Sequence, residues 1–176
     1  MVGTTVFSNI GIGYGVMQSI DPGSSGANTI IGNNAGAGIT TGSSNIAYGF
    51  QALRNATTAR NCVALGRDAL QANVSDNSQI AIGNSALANC TDATGNVAIG
   101  QRASNGLVTG NYNVGIGHLV YEADSGAVYE NCVAIGAFAC RSVTGSSGTT
   151  AVGYSVLSNS TGDNDNSAYG NLCLLS

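Results

Sequence analysis

The chain has 176 residues, ample for one domain, and only 8% of them are charged. Its five basic residues are all arginine and its formal net charge is −4, which argues against a nucleic-acid-binding surface. No stretch approaches the length of a membrane-spanning helix, and so low a charge is unlike a typical cytosolic enzyme.

The N-terminal segment "MVGTTVFSNIGIGYG" has neither a basic region nor an apolar run of the kind that opens a signal peptide. From there a glycine recurs at a nearly fixed interval: Gly13, Gly32, Gly49, Gly66, Gly83, Gly100, Gly117, Gly136, Gly153 and Gly170. The step is 17 residues, except for 19 between Gly13 and Gly32 and between Gly117 and Gly136. A short fixed period means one structural unit stacked many times, so the whole of residues 1–176 reads as a single, quasi-one-dimensional repeat domain.

Each unit opens on a predicted strand. One residue before the glycine stands a large apolar group, from Ile12 and Ile31 through Ile82 and Ile99 to Tyr169. Two before it the residue is small (Ala47, Ala64, Ala81, Ala98), with Ile30 as the exception; three before it the residue is mostly β-branched (Ile46, Val63, Ile80, Val97). Large-small-large with period two is a strand, with both bulky columns on one face and the alanines on the other. A second apolar pair follows three and four residues after the glycine, as in Ala52-Leu53, Ala69-Leu70 and Ala86-Leu87. Read as strand, those two neighbours point to opposite faces. One of them, and the alanine column too, would then need cover from outside the coil, which predicts lateral packing against other chains.

Turn chemistry fills the rest. Thr94-Gly95, Thr109-Gly110, Thr144-Gly145 and Thr161-Gly162 are turn signals, and the two longer steps place their extra residues in loops. The repeat glycine marks a corner, where φ is positive or where backbones come close. Asn9, Asn28, Asn45, Asn96, Asn113 and Asn166 share the column four before the glycine and predict an amide ladder, interrupted by Cys62, Gln79, Cys132 and Thr149. Helix is disfavoured, because glycine every 17 residues leaves no long uninterrupted stretch. Both termini end in repeat sequence without a polar cap, so the rod is expected either to belong to a longer fibre or to stack end to end. Ten coils at about 4.8 Å each predict a rod of roughly 50 Å.

The segments "NIAYGFQAL", "NCVALGRDAL", "QIAIGNSAL" and "NVAIGQRAS" resemble the head repeats of trimeric autotransporter adhesins and, more strongly, the repeats of bacteriophage tail-fibre and tail-spike proteins. The best match runs from Ser43 to Leu70, and the resemblance covers nearly the whole chain. It implies an all-β fold: a left-handed parallel β-solenoid (β-roll), assembled as a homotrimer in an extracellular or virion appendage. The chain departs from both families in lacking recognisable stalk, anchor, virion-attachment or receptor-tip segments.

Nothing in the pattern builds an active site. His118, the single histidine, sits in the variable column after the glycine with no nucleophile or orienting partner implied, so a surface role is expected. "GIGYG" (Gly11, Gly13, Gly15) coincides with the repeat columns and is not followed by Gly-Lys-Ser/Thr, so it is not read as a phosphate loop. "DNDN" (Asp163 to Asn166) reads as a solvated turn rather than a calcium loop. Cys62, Cys90, Cys132, Cys140 and Cys173 match no zinc spacing and read as small buried residues, with an interchain bridge the lesser alternative. Asn55, Asn73, Asn89 and Asn159 begin glycosylation triplets that chance explains in so Asn-, Ser- and Thr-rich a chain. The threonines clustered before the glycine, such as Thr40, Thr57 and Thr91, form too broken a row for a flat ice-binding face. Tyr14, Phe50, Phe138 and Tyr154 are read as exposed aromatics following the glycine, a candidate glycan-stacking surface.

These readings converge on a non-enzymatic structural fibre protein of ten coils, without cofactor or metal. Its expected partners are copies of itself, as a lateral homotrimer or in head-to-tail stacking, and host-surface polysaccharide. A subunit that stacks into an extracellular filament and a carbohydrate-binding adhesin head are the alternatives.

Overall fold

The computed structural model describes residues 8–21, 26–75, 77–122, 127–143, 145–158 and 164–173, which form strands and turns with no helix. The three residues before each repeat glycine form a short strand: β1 (Ile10–Ile12), β2 (Thr29–Ile31), β3 (Ile46–Tyr48), β4 (Val63–Leu65), β5 (Ile80–Ile82), β6 (Val97–Ile99), β8 (Val114–Ile116), β10 (Val133–Ile135), β12 (Thr150–Val152) and β13 (Ser167–Tyr169). They pair in parallel, in that order, as one ten-stranded sheet. The register never slips, so the alanine column stacks on itself, as in Ala64 opposite Ala81 and Ala81 opposite Ala98. The fold is therefore an all-β, parallel β-solenoid. A shorter sheet joins β7 (Leu107–Thr109), β9 (Ala127–Glu130) and β11 (Ser146–Ser147) on another wall. Isolated parallel bridges through Ser43, Arg60, Asn77 and Thr94 run along the same rod. Thr109 thus lies in a strand rather than a turn, while Thr144, Thr161 and Gly162 fall outside the described residues.

The facing of the main sheet is the reverse of the expected one. Ala64, Ala81, Ala98, Ala134 and Ala151 are completely buried, and the β-branched and isoleucine columns look outward. The second apolar pair also departs from expectation, since Ala52 with Leu53, Ala69 with Leu70 and Ala86 with Leu87 are all fully buried. This segment is not a strand. Its residues two and four after the glycine take positive φ, as at Gln51 (56°) and Leu53 (54°) or Asp68 (56°) and Leu70 (50°). Such alternation turns neighbouring side chains to the same side, and the left-handed conformation costs roughly 1–2 kcal/mol per residue in isolation. Hydrogen bonds between coils offset that cost: Gln51 N donates to Asn33 O at 2.9 Å and Leu53 N donates to Ala69 O at 2.9 Å, one back and one forward along the rod.

The two inward walls are matched in size. An added Cβ at Gly115 would collide with Ser104 Oγ of the preceding coil and meet Val120 and Tyr121 at 3.4 and 3.2 Å, so the small column faces the pair that follows the glycine of its own coil and its neighbour one coil back. Where that pair carries leucine the small column is alanine. Where it carries Met17 or Tyr121 the column shrinks to Gly11 or Gly115. Ile30, the exception in sequence, fills with Ile39 the space left by Gly36, whose added Cβ would lie 3.3 Å from the Ile30 side chain and 2.8 Å from that of Ile39.

The amide ladder is present and polarised. Asn28 and Asn45 are buried, and each side-chain oxygen accepts the backbone N–H of the next coil: Asn45 N to Asn28 Oδ1 and Cys62 N to Asn45 Oδ1, both at 3.0 Å. Asn45 Nδ2 closes the corner by donating to Ala59 O at 2.8 Å. Gln79 continues the ladder rather than interrupting it, since its Oε1 accepts from Asn96 N at 3.0 Å. The repeat glycine satisfies both parts of its expected role. At Gly66 φ is +134°, and an added Cβ would sit 2.5 Å from the Gly83 carbonyl oxygen of the next coil.

Candidate functional site

The first candidate surface is the outer face of the ten-stranded sheet. Its two columns contain no charged residue, and Thr29, Thr150 and Ser167 are their only polar members. Ile12, Ile46, Tyr48, Ile135 and Tyr169 are exposed, while Val63, Ile80, Ile82, Val97 and Ile99 shield one another and are half-buried. A continuous apolar face of this kind is uncommon on an isolated soluble chain and marks an interaction surface. The exposed columns that need cover are therefore the bulky ones, not the alanines.

The second candidate is an aromatic corner just after the repeat glycines. Tyr14, Phe50 and Tyr154 follow their glycines directly and are exposed, whereas Phe138 stands two residues after Gly136, in the next column, and is half-buried rather than exposed. The four do not form one surface. Phe138 and Tyr154 meet edge to face, with ring centroids 5.7 Å apart. His118 completes their row, its ring lying 5.5 Å from that of Phe138. Phe50 instead carries the Arg67 guanidinium, 5.4 Å from its ring centroid, and Tyr14 lies two repeats further toward the N-terminus. Arg141 repeats the cation–aromatic contact on Phe138, also at 5.4 Å. His118, expected only as a surface residue, is exposed and belongs to this stack.

Arg141 is held from behind. Its Nε donates to Glu122 Oε2 at 3.2 Å, and Arg102 Nη2 binds the other oxygen of the same carboxylate at 2.7 Å. Sequence reasoning missed Glu122, Arg102 and Arg141, because they stand in three successive repeats at spacings no local motif records. The fixed period was the available signal, since it stacks positions two to five residues after the glycine.

A third cluster lies inside the rod, in the coil of the longer step before Gly136. Tyr121 and Tyr129 are fully buried with ring centroids 4.6 Å apart, beside Cys132 and Cys140. The Tyr129 hydroxyl donates to Val143 O, and Cys132 Sγ lies 3.5 Å from Ser146 Oγ. Burial, reinforced by the neighbouring Cys132 thiol, pushes the Cys140 thiol up to about 12, and burial likewise raises both phenols. This cluster is a protonated core, with no group poised as a nucleophile.

The remaining sequence candidates resolve individually. All five cysteines are free thiols, four of them buried and Cys173 partly so. Asn73 is buried and unavailable as a glycosylation acceptor, Asn55 and Asn89 are exposed, and Asn159 lies outside the described residues. The Thr40 and Thr57 hydroxyls donate to carbonyls of the next coil, at 2.9 and 3.0 Å, rather than facing water as a flat array. Of "DNDN", Asp163 is outside the described residues and Asn164 Oδ1 accepts from Ser147 N at 3.0 Å, which uses that turn structurally. Gly11 lies within β1, and Gly13 and Gly15 lie in the turn that follows. Comparison with protein-family models, curated proteins and solved structures returned no match.

Proposed function

We propose that this chain is a structural fibre protein: a stiff, left-handed β-solenoid segment that associates laterally with copies of itself, as a homotrimer, in an extracellular or virion appendage. The observation that carries this reading is the charge-free outer face of the ten-stranded sheet, whose isoleucine and valine columns run in unbroken register. Copies of a chain with net charge −4 repel one another generally, and an uncharged apolar strip is where they approach at least electrostatic cost. The repeat resemblance to tail-fibre and autotransporter head segments supports the same assignment, and a non-enzymatic, mechanical role follows from it. Stacked hydrogen bonds in which every coil binds only its neighbours make such a rod stiff and resistant to proteolysis.

A second reading, end-to-end stacking into a filament, is favoured by the polarity of the amide ladder. Each coil accepts on one side what it donates on the other, so β13 of one copy would offer β1 of the next the kind of parallel edge that β12 offers β13.

Light-scattering mass measured together with negative-stain imaging tests both. Rods containing three chains are expected. The double variant Ile82→Glu/Ile99→Glu is expected to give monomers of unchanged circular dichroism, because both side chains face outward. A compact wild-type monomer refutes lateral packing, and long uniform filaments favour axial stacking.

A further inference from the structure

We infer that the corner formed by Phe138, Arg141 and Tyr154 is a binding site for an acidic saccharide. This inference is independent of lateral association, because the corner lies on the turns that follow the repeat glycines and not on the sheet face.

A cavity of about 250 Å³ opens here, lined by Phe138, Arg141, Ser142, Tyr154, Ser155 and Ser158. Its components are those a charged sugar ring requires. Tyr154 is half-exposed, and Phe138 fixes its ring edge to face. An aromatic face with a polar rim is the surface on which a pyranose ring stacks, since the ring's C–H groups meet the π-system while its hydroxyls reach outward. The hydroxyls of Ser142, Ser155 and Ser158 supply that rim, and none bonds another side chain among the described residues.

Arg141 sets the charge preference. Its Nε is committed to Glu122 and its plane to Phe138, so the guanidinium is pre-oriented. Among the described residues its two Nη groups have no acceptor, and these are the paired donors that match a carboxylate. Because Arg102 shares Glu122, the three side chains carry one net positive charge beside the cavity. The corresponding corner at Phe50 serves as an internal comparison. There Arg67 also lies over the ring, but its Nε pairs with Asp68 at 3.1 Å, so the cation on that ring is balanced by a carboxylate of its own coil. A sugar bearing a carboxylate, as in a uronic or sialic acid, fits the Phe138 corner, where the guanidinium over the ring keeps its paired donors open.

The test is calorimetric titration of the wild-type chain with tetragalacturonate and with sialyllactose, each compared with its methyl ester. Saturable binding of at least one acid is expected, weakened about tenfold or more on esterification and about tenfold in Arg141→Gln, the loss typical of a charge-assisted hydrogen bond. Tyr154→Ser is expected to abolish binding and Arg67→Gln to leave it unchanged. Thermal melts and light-scattering mass of the same samples separate loss of the site from loss of fold or assembly. Failure of both acids to bind overturns the inference, as does equal binding of acid and ester or full affinity in a folded Arg141→Gln.

Discussion

At the scale of the residue, the repeat is held by positions that tolerate almost no substitution. Gly66 combines φ +134° with a close approach of the next coil's backbone. Any side chain there meets both conformational strain of about 1–3 kcal/mol and an immovable carbonyl. Gly145 has φ +68° and only ordinary contact for an added Cβ, with Val128 O at 3.5 Å. Asparagine enters the left-handed region readily, so Gly145→Asn is expected to change stability by less than about 0.5 kcal/mol, and Gly66→Asn to cost at least about 2 kcal/mol. Urea midpoints of the two variants check this, and equal midpoints would refute the close-approach account. The buried thiol makes a second prediction, in alkali. In the folded chain Cys140 keeps its proton to about pH 12, because burial and the Cys132 thiol disfavour the thiolate, whereas the unfolded thiol ionises near pH 9. Between those values the unfolded state binds fewer protons, so stability falls as pH rises. The contribution is fully present below about pH 9 and is lost progressively toward pH 12, at about 1.4 kcal/mol per pH unit for one proton. The raised phenols of Tyr121 and Tyr129 act with the same sign. Urea titrations at pH 8 and pH 10.5 are expected to show this loss, with a shallower pH dependence in Cys140→Ala.

At the scale of the element, the strand with period two and the 17-residue step were legible in sequence because both are enforced at every repeat. Which face of the strand points inward was not. Bulky residues usually signal burial, but here the coil is narrow and its opposite wall already contributes leucines such as Leu53, Leu70 and Leu87, leaving room only for alanine. The Ala-Leu pair misled for a different reason. Adjacent apolar residues mean opposite faces only in extended backbone, and no residue type in "FQALRN" announces the positive φ at Gln51 and Leu53. The aromatic corner was half legible: Phe138 and Tyr154 were named, but the Arg141–Glu122–Arg102 chain spans three repeats and is visible only in the folded rod. The size matching between walls makes a double-mutant prediction. Ile30→Ala alone removes a fully buried side chain and is expected to cost about 2–5 kcal/mol. Gly36→Leu alone crowds Ile39 and Ile30 and is expected to cost about 1–3 kcal/mol. The backbone itself accepts leucine there, since Gly36 has φ 55° and Leu53, at the same repeat position, has 54°. Made in an Ile39→Ala background, which supplies the alanine that the next coil has at Ala56, the two changes recreate the Ala-plus-Leu pairing of the other coils, so the pair is expected there to be more stable than either change alone, with a favourable coupling of about 1–3 kcal/mol. Additive losses would mean that the two walls do not share the space assigned to them.

At the scale of the whole molecule, nearly every contact joins a residue to its equivalent one repeat away, so the rod has no centre. Stability is then close to a sum of unit terms and neighbour interfaces, in contrast to a globular core that fails as a whole. This predicts that a complete unit is dispensable and a fraction of one is not. Deleting the 17 residues Arg67–Gly83 removes β5 and joins Gly66 to Asn84. Val63–Leu65 would then face Val97–Ile99 in the same register that each now shares with β5. The outer isoleucine column, the inner alanine column and the turn conformations all close up without a change of face. Deleting only Arg67–Val74 keeps more of the chain but shifts all later columns out of phase, so that outward isoleucines would stack on inward alanines or on turns. The full-unit deletion is expected to retain the wild-type circular dichroism and a cooperative melt, shifted down by a few degrees. The shorter deletion is expected to lose the cooperative transition or to melt in two separate steps, one from each side of the break. If both deletions unfold alike, the stability of the rod is not additive, and residues 67–83 hold a nucleus that the regularity of the repeat conceals.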